Sequence, residues 1–286
     1  MMQKTKVTNE ENDVRQYMQL MEEDAYVDVA EEIKYPPVAL SCGVYEDTNT
    51  DGSSTSYPIP IGTDGNFSFI QAPPKSMKSF FSSLLVSAYQ NNSNGFTGHI
   101  KGHRKGRRII HFDTEQGKFH CQKVFRRPLI MNNISADENY HTYALRSMNN
   151  KDRISFIDYI LKDKFNGENI GLVIIDGVAD LVSDVNNIEQ CSEVTQKLMS
   201  WTADCNCHIV TIIHSNYGSD KPTGHLGSFL EKKAETQIKL EKNHVNKGLV
   251  SVECKRSRNR GFDTFSFKIN DRGLPLFVDN EVPDFL

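Results

Sequence analysis

The chain has 286 residues, of which 38% are hydrophobic and 24% are charged, and its formal net charge is −4. This composition is that of an ordinary globular protein, and with a mildly acidic chain any nucleic-acid contact has to come from local basic patches. No apolar run approaches the ~18 residues of a membrane span, and the polar N-terminus lacks the apolar core of a secretory signal. We therefore expect a cytoplasmic protein with no membrane partner.

The N-terminal segment predicts a helix followed by a linker. Residues 11–33 place apolar side chains at helical spacing, which makes one apolar face. These side chains are Val14, Tyr17, Met18 and Met21. The following YPP ends the helix because proline cannot continue it, and the composition of 46–56 predicts an exposed loop. We accordingly divide the chain into an N-terminal helical arm and linker, 1–57, and one domain, 58–286.

From residue 58 onward, short apolar runs alternate with helical patterns. The predicted strands cover 67–71, 108–112, 171–175, 208–213, 235–240, 248–254 and 263–269. The predicted helices cover 78–90, 116–126, 151–164 and 187–204. Uniformly apolar strands separated by helices predict an α/β fold with a mostly parallel sheet covered on both faces. The last strands are joined by short links, with NDRG as a turn, which predicts antiparallel hairpins at the C-terminal end.

The stretch FSFIQAPPKSMKSFF has the spacing of a phosphate-binding loop without its glycines. The pattern G-x-x-x-x-G-K-[ST] requires glycine where this chain has Ala72 and Met77, whereas Lys78 and Ser79 match its last two positions. Such a loop needs converging backbone N–H groups, a lysine for the phosphates and a hydroxyl for Mg²⁺. Lys75 adds a second positive charge. The alternative interpretation is a strand–loop–helix corner with an exposed lysine.

The second strand of the domain ends in acidic residues. In RRIIHFDTEQGKFH, the apolar run is followed by Asp113, Thr114 and Glu115, so the carboxylates emerge at the strand's carboxyl end. That edge is where ligands bind in open α/β sheets. A carboxylate at the position of Glu115 can act as the general base for an attacking water. The alternative is a helix N-cap, since Asp or Thr followed by Glu is a common helix start.

The third and fourth strands also end in polar residues. NIGLVIIDG ends in Asp176, and an apolar strand ending in aspartate suits a Mg²⁺ ligand of a P-loop enzyme. HIVTIIHSN ends in His214 and Asn216, which can sense a γ-phosphate; the alternative is an ordinary strand exit. Coincidence explains one polar group at a strand end much more readily than it explains four of them in one chain.

The order of these motifs resembles that of RecA-fold P-loop ATPases, and FDTEQ is similar to the DTE or DAE of recombinases. The stretch from about 58 to 279 resembles more closely the compact RepA- and DnaB-like hexameric helicases carried by mobile elements and phages. Those proteins show patterns similar to KSMKS, FDTEQGKFH, VIIDGVADLV, HIVTIIHSN, GHLGSFLEKKAET and RNRGFDTFSF in this order. Several of them resemble this chain in having lysine-rich, glycine-poor loops.

The resemblance implies an ATP- and Mg²⁺-dependent RecA-like domain. In that family Lys78 would contact the phosphates, and Glu115 would activate water. Ser79 and Asp176 would hold Mg²⁺. His214 and Asn216 would be sensors of the nucleotide state. The nucleotide-binding loop would consist of Ala72, Pro73, Pro74, Lys75, Ser76, Met77, Lys78, Ser79 and Phe80.

The resemblance also implies that neighbouring subunits of a ring share the site. In ECKRSRNRGF, Arg256 and Arg258 are two residues apart, similar to the paired basic fingers of DnaB-like proteins. The alternative is a solvated hairpin tip. Loops 178–188 and 215–227 would face the central channel. These loops contain few cations, and the best candidates for contact with DNA are Lys221 and His225.

The sequence thus predicts an ATP-hydrolysing, Mg²⁺-dependent motor that acts on single-stranded DNA, a replicative-type helicase assembled as a hexameric homo-oligomer. A primase or an initiator protein is a candidate partner. The alternative is a nucleotide-dependent helicase loader or regulatory DNA-binding module with weak or no turnover. A small-molecule kinase fits less well, because it would not need the basic hairpin.

Overall fold

The computed structural model describes residues 9–90, 96–216, 220–243 and 248–278. The chain forms two compact units, Met1–Tyr35 and Pro36–Leu286. The first unit contains helix α1 (Asn9–Ala25), which ends earlier than the predicted 33. Beyond it, the Asp28 carboxylate accepts a hydrogen bond from the backbone of Ala30, a local turn that competes with continued helix.

The second unit opens with a hairpin where the sequence predicted a loop. Strand β1 (Val38–Thr48) pairs antiparallel with β2 (Ser54–Thr63), so only the tip of the predicted loop 46–56 is a turn. The tip is exposed, and Gly52 has the positive φ that its turn requires. The division into an arm, 1–57, and an ATPase domain, 58–286, stays a prediction, and the second compact unit begins earlier, at Pro36.

A mostly parallel sheet forms the centre of the second unit. Its remaining elements, in chain order, are β3 (Phe67–Ala72), α2 (Lys78–Tyr89), β4 (Ile100–Gly102), β5 (Arg108–Asp113), α3 (Lys118–Met131), β6 (Tyr140–Ala144), α4 (Asn150–Asp158), β7 (Ile170–Asp176), α5 (Ile188–Asp204), β8 (His208–His214), α6 (Gly224–Lys233), β9 (Thr236–Lys242), β10 (Leu249–Ser257), β11 (Phe265–Ile269) and β12 (Pro275–Val278). A π-helical segment (Tyr159–Lys164) continues α4, and a 3₁₀ turn (Val178–Leu181) follows β7.

The nine-stranded sheet has the order β12-β11-β10-β9-β3-β8-β7-β5-β6. The strands from β9 to β6 are parallel, and β10, β11 and β12 are antiparallel, as the α/β prediction required. A separate three-stranded sheet has the order β2-β1-β4. The predicted fold class is confirmed: an α/β architecture with a mostly parallel sheet flanked by helices and C-terminal antiparallel hairpins.

Both faces of the large sheet are covered, which explains the uniformly apolar strands. All seven residues of β7 are buried. One hydrophobic cluster packs α2 and the end of α3 on one face, and a second packs α4, α5 and α6 on the other. The fully buried Trp201 of α5 donates its indole N–H to Asp158, at 2.7 Å. No described helix is both long and apolar enough to cross a membrane.

We expect Gly171→Ala to destabilise the second unit, because a Cβ at this buried position of β7 would overlap the hydroxyl of Tyr89. Overpacking of this kind costs about 1–3 kcal/mol of unfolding free energy, measurable by urea denaturation. Gly117→Ala is the control, since nothing lies within 4 Å of a Cβ there. Tyr89→Phe should restore part of the loss, because the hydroxyl has no hydrogen-bond partner among the described residues. Equal stability of Gly171→Ala and Gly117→Ala would contradict the overlap.

Candidate functional site

The parallel register brings the predicted site residues to one edge of the sheet. Ala72, the last residue of β3, is paired with His214 at the end of β8, and Asp113 at the end of β5 is paired with Asp176 at the end of β7. The phosphate-loop candidate, the two acidic strand ends and the candidate sensor strand therefore meet at the carboxyl edge. This is the edge at which open α/β sheets bind ligands.

The loop after β3 adopts the left-handed conformation at two non-glycine residues. Met77, which stands where the pattern requires its second glycine, has φ 67° and caps α2, and Lys75 has φ 60°. The Met77 carbonyl accepts the backbone N–H groups of Phe80 and Phe81, at 3.0 and 3.1 Å. The Ser76 hydroxyl donates to the carbonyl of Pro73, at 2.6 Å. The loop thus has a glycine-type conformation with other residues in place.

Lys78, His214 and Glu115 form a connected polar chain. The Lys78 ammonium lies 2.8 Å from Nδ1 and 2.9 Å from Nε2 of His214, and His214 Nε2 lies 3.2 Å from Glu115 Oε1. Burial lowers the pKa of Lys78, which is only 8% exposed. The hydrogen bond with His214 is the main reason why the pKa of Glu115 lies below its usual value. Glu115 is therefore ionised at neutral pH, and His214 links it to Lys78.

Ser79 and Asp176 place a hydroxyl and a carboxylate next to each other at the same edge of the sheet. The Ser79 hydroxyl donates to Asp176 Oδ2, at 3.2 Å. Burial, followed by the carboxylates of Asp113 and Glu115, raises the pKa of Asp176 to about 7. A buried carboxylate next to like charges is a favourable position for a divalent cation, and carboxylate and hydroxyl oxygens are hard ligands of the kind Mg²⁺ prefers.

The described residues contain no group of three or more His, Cys, Asp or Glu side chains that could hold a metal ion. A Mg²⁺–nucleotide site does not need one, because Mg²⁺ is usually bound through one or two protein ligands together with phosphates and water. The Ser79–Asp176 pair fits that kind of site.

Asp113, and not Glu115, stabilises the turn after β5. The Asp113 carboxylate accepts hydrogen bonds from the backbone of Glu115 and Gln116, at 3.0 and 2.8 Å, and from the Gln116 side chain, at 2.8 Å. Helix α3 begins at Lys118 without a side-chain cap. The N-cap interpretation of this motif is therefore wrong: Asp113 stabilises the turn that precedes the helix, and the Glu115 carboxylate contacts His214.

Thr114, which the sequence offered only as a possible helix cap, joins the two acidic strand ends. Its hydroxyl lies 2.9 Å from the carbonyls of both Asp176 and Gly177, and 2.8 Å from Asp180 Oδ2. Gly177 has φ 105°, and a Cβ there would overlap the Thr114 hydroxyl. The Asp-Thr-Glu and Asp-Gly motifs mark both strand ends in the sequence, but their contact follows from the pairing of β5 with β7.

Asn216 is placed apart from the Lys78–His214–Glu115 chain. Its backbone N–H donates to the carbonyl of Lys221, at 2.9 Å, and its side chain donates to Pro222, at 3.4 Å. It therefore closes the loop after β8, of which residues 217–219 lie outside the described residues. The sensor role of Asn216 stays a prediction.

Lys221 and His225 are exposed, in the loop after β8 and at the start of α6. Their predicted contact with DNA is untested and stays a prediction.

The basic pair lies at the opposite edge of the sheet. Strand β10 runs antiparallel to β9, and it pairs Arg256 with Gln237, the second residue of β9. This is the amino edge of the parallel strands, whereas Lys78 follows their carboxyl edge. The Arg258 guanidinium donates to the carbonyl of Lys233, at 2.9 Å, and Arg256 is mostly exposed, 3.8 Å from a carboxylate oxygen of Glu231.

No protein-family model matches the chain, and no curated protein matches it. Among solved structures, the chain is similar to the crystal structure of the RadB recombinase, with 17% sequence identity over 73% of this chain and 90% of that chain. The TM-score is 0.49. At this identity and TM-score, the likeness says nothing about the activity of this chain.

We expect Met77→Gly to be more stable than Met77→Ala. Both substitutions remove the same side chain, but only glycine occupies the left-handed region without steric cost, and the difference is about 1–2 kcal/mol. Urea denaturation of the two variants measures it. Met77→Gly should also bind an ATP analogue at least as tightly as Met77→Ala. Equal or greater stability of the alanine variant would show that Met77 does not have this backbone conformation.

Proposed function

We propose that this chain is a RecA-like, Mg²⁺-dependent ATPase that acts as a motor on single-stranded DNA, as a replicative-type DNA helicase in the cytoplasm. The observation that carries the proposal is the convergence of Lys78 and Glu115 on His214, beside the Ser79–Asp176 pair. A lysine, a general-base carboxylate and a pair of Mg²⁺ ligands are the groups that ATP hydrolysis requires.

The loop 72–80 binds the nucleotide in this proposal. The backbone N–H groups at the start of α2 face the phosphates, where the helix dipole favours negative charge. Lys78 adds a cation that burial leaves weakly solvated, so a phosphate is a favourable partner for it. Ser79 and Asp176 would hold Mg²⁺, which neutralises charge on the phosphates when it is bound.

Glu115 accepts the proton of the attacking water. Its lowered pKa keeps it ionised at neutral pH, and the hydrogen bond with His214 fixes the direction of the carboxylate. Because His214 also contacts Lys78, any movement of the lysine toward a phosphate alters the contacts of the same imidazole. This physical link supports the sensor role of His214.

The position of the basic pair supports a site shared between subunits. Arg256 and Arg258 lie at the sheet edge opposite Lys78, so they are available to the nucleotide of a neighbouring copy rather than to their own. We propose a hexameric homo-oligomer whose DNA contacts include Lys221 and His225, with a primase or an initiator as a further partner. The mobile-element or phage origin rests on the motif resemblance.

A helicase loader or regulatory DNA-binding module with weak turnover is the second candidate. The specific observation in its favour is the left-handed backbone at Lys75 and Met77, because this conformation is strained for residues other than glycine. A loop held in this way can bind nucleotide and still be a poor catalyst.

Steady-state hydrolysis of Mg-ATP, with and without single-stranded DNA, tests the proposal. We expect DNA to stimulate hydrolysis by the wild type, and Lys78→Ala to abolish it because the phosphates lose their main cation.

Glu115→Gln should keep Mg-ATP binding and hydrolyse ATP ~10²–10⁴-fold more slowly, the usual contribution of a general base. Glu138→Gln, which changes an exposed carboxylate, is the matched control. Nucleotide binding without turnover would favour the loader, and unimpaired Lys78→Ala would refute the site.

We expect Arg258→Ala to bind ATP almost normally and to hydrolyse it poorly, because a finger arginine contributes ~10³–10⁵ in rate in related enzymes. Arg272→Ala, at an exposed turn, is the control. Mixing Arg258→Ala with Lys78→Ala protomers should restore some hydrolysis, since certain interfaces then combine an intact loop with an intact finger. Mixing of labelled protomers establishes subunit exchange. Exchange without recovered activity, or full activity of a monomer, would contradict the shared site.

A further inference from the structure

Arg127 of α3 contacts the first turn of α2, the helix that begins with Lys78. Its Nη1 donates to the carbonyl oxygen of Ser79, at 2.8 Å, and to the hydroxyl of Ser83, at 2.9 Å. Its guanidinium also lies over the ring of Phe80, 3.8 Å from the ring centroid. One side chain from a neighbouring helix thus holds three residues around the first turn after the phosphate loop.

The stability of the fold does not explain why this residue is an arginine. Burial lowers the pKa of Arg127 to about 10, so the guanidinium is charged at neutral pH. The described residues provide it with neutral acceptors and an aromatic face, and none of their carboxylates forms an ion pair with it. A half-buried charge without a counter-charge is a poor source of stability, and an apolar side chain of similar size is often neutral or stabilising in its place.

The contacts of Arg127 converge on the peptide group of a candidate Mg²⁺ ligand. The Ser79 carbonyl also accepts the hydroxyls of Ser82 and Ser83, at 3.2 and 2.7 Å. The Ser79 hydroxyl, on the same residue, donates to Asp176. Because the direction of that hydroxyl follows from the position of its backbone, a shift of the first turn of α2 would move it away from Asp176.

We propose that Arg127 is a positioning residue for Mg²⁺: it holds the first turn of α2 so that the Ser79 hydroxyl and the Asp176 carboxylate face the same ion. The inference rests on the proposed nucleotide site and adds a residue to it. Partners that orient a metal ligand without touching the metal typically change metal affinity by about 10–100-fold when they are removed.

The test uses Arg127→Met, which keeps an apolar stem over Phe80 and removes both hydrogen bonds. Binding of a fluorescent ATP analogue is measured over a Mg²⁺ series and in EDTA, and thermal unfolding is measured without ligand. We expect the half-saturating Mg²⁺ concentration to rise about 10–100-fold, with binding in EDTA and the melting temperature unchanged or improved. Arg126→Met is the matched control, because Arg126 is the exposed neighbour on the same helix.

Arg127→Lys keeps the charge and one donor nitrogen, so we expect a smaller rise in the Mg²⁺ requirement. Normal Mg²⁺ dependence of Arg127→Met would overturn the inference, as would an equal loss of binding in EDTA, which would indicate general damage to the loop. If Arg127→Met does not fold, Arg127→Lys with wild-type Mg²⁺ dependence would overturn it. Failure of the wild type to bind nucleotide at any Mg²⁺ concentration would refute the proposed function, and this inference with it.

Discussion

The buried carboxylate of Asp176 is the constraint around which the carboxyl edge of the sheet is organised. It lies at the end of a fully buried strand, and its pKa is raised to about 7 by burial and by the neighbouring Asp113 and Glu115. Like charges in a poorly solvated position are unfavourable unless cations or hydrogen-bond donors compensate them. Lys78 and Ser79 provide part of that compensation, and both are carried by the first turn of one helix. The geometry of that turn therefore determines how the acidic edge is stabilised.

Packing around α2 explains how the loop after β3 reaches its backbone conformation without the glycines of the phosphate-loop pattern. The loop reaches the left-handed conformation at Met77 and Lys75 in spite of their side chains. Met77 packs against the hydrophobic core on the α2 side of the sheet, so burial of its side chain offsets backbone strain that a glycine would avoid. In such a loop the conformation comes from tertiary packing and from hydrogen bonds such as that between Ser76 and Pro73, rather than from intrinsic backbone freedom.

The two edges of the sheet have different chemical character. The carboxyl edge combines acids with a buried lysine, whereas the amino edge presents Arg256 near the end of the antiparallel strand β10 and Arg258 just after it. Since one protomer cannot bring both edges to the same phosphate, an enzyme that uses both has to assemble. In the proposed mechanism the end of β10 would serve a neighbouring copy, whereas α2 and α3 connect the site to the interior of the protomer.

The sequence by itself determined the alternation of apolar strands and helices, and with it the mostly parallel sheet, because full burial on both faces leaves a continuous apolar run. It also located the polar strand ends at Asp113, Asp176 and His214. The hairpin of β1 and β2 and the helix α6 were not predicted, because their local patterns are weak. The hairpin has an exposed polar tip, and α6 contains two glycines.

Only the tertiary structure decided which strand ends meet. Glu115 and His214 are 99 residues apart in sequence, and Lys78 and His214 are 136 residues apart. Strand order brings them together, and periodicity within a segment does not encode strand order. Tertiary structure also decided the different roles of Asp113 and Glu115. Asp113 accepts the backbone N–H groups of the turn, whereas Glu115 contacts the imidazole of His214 across the sheet edge.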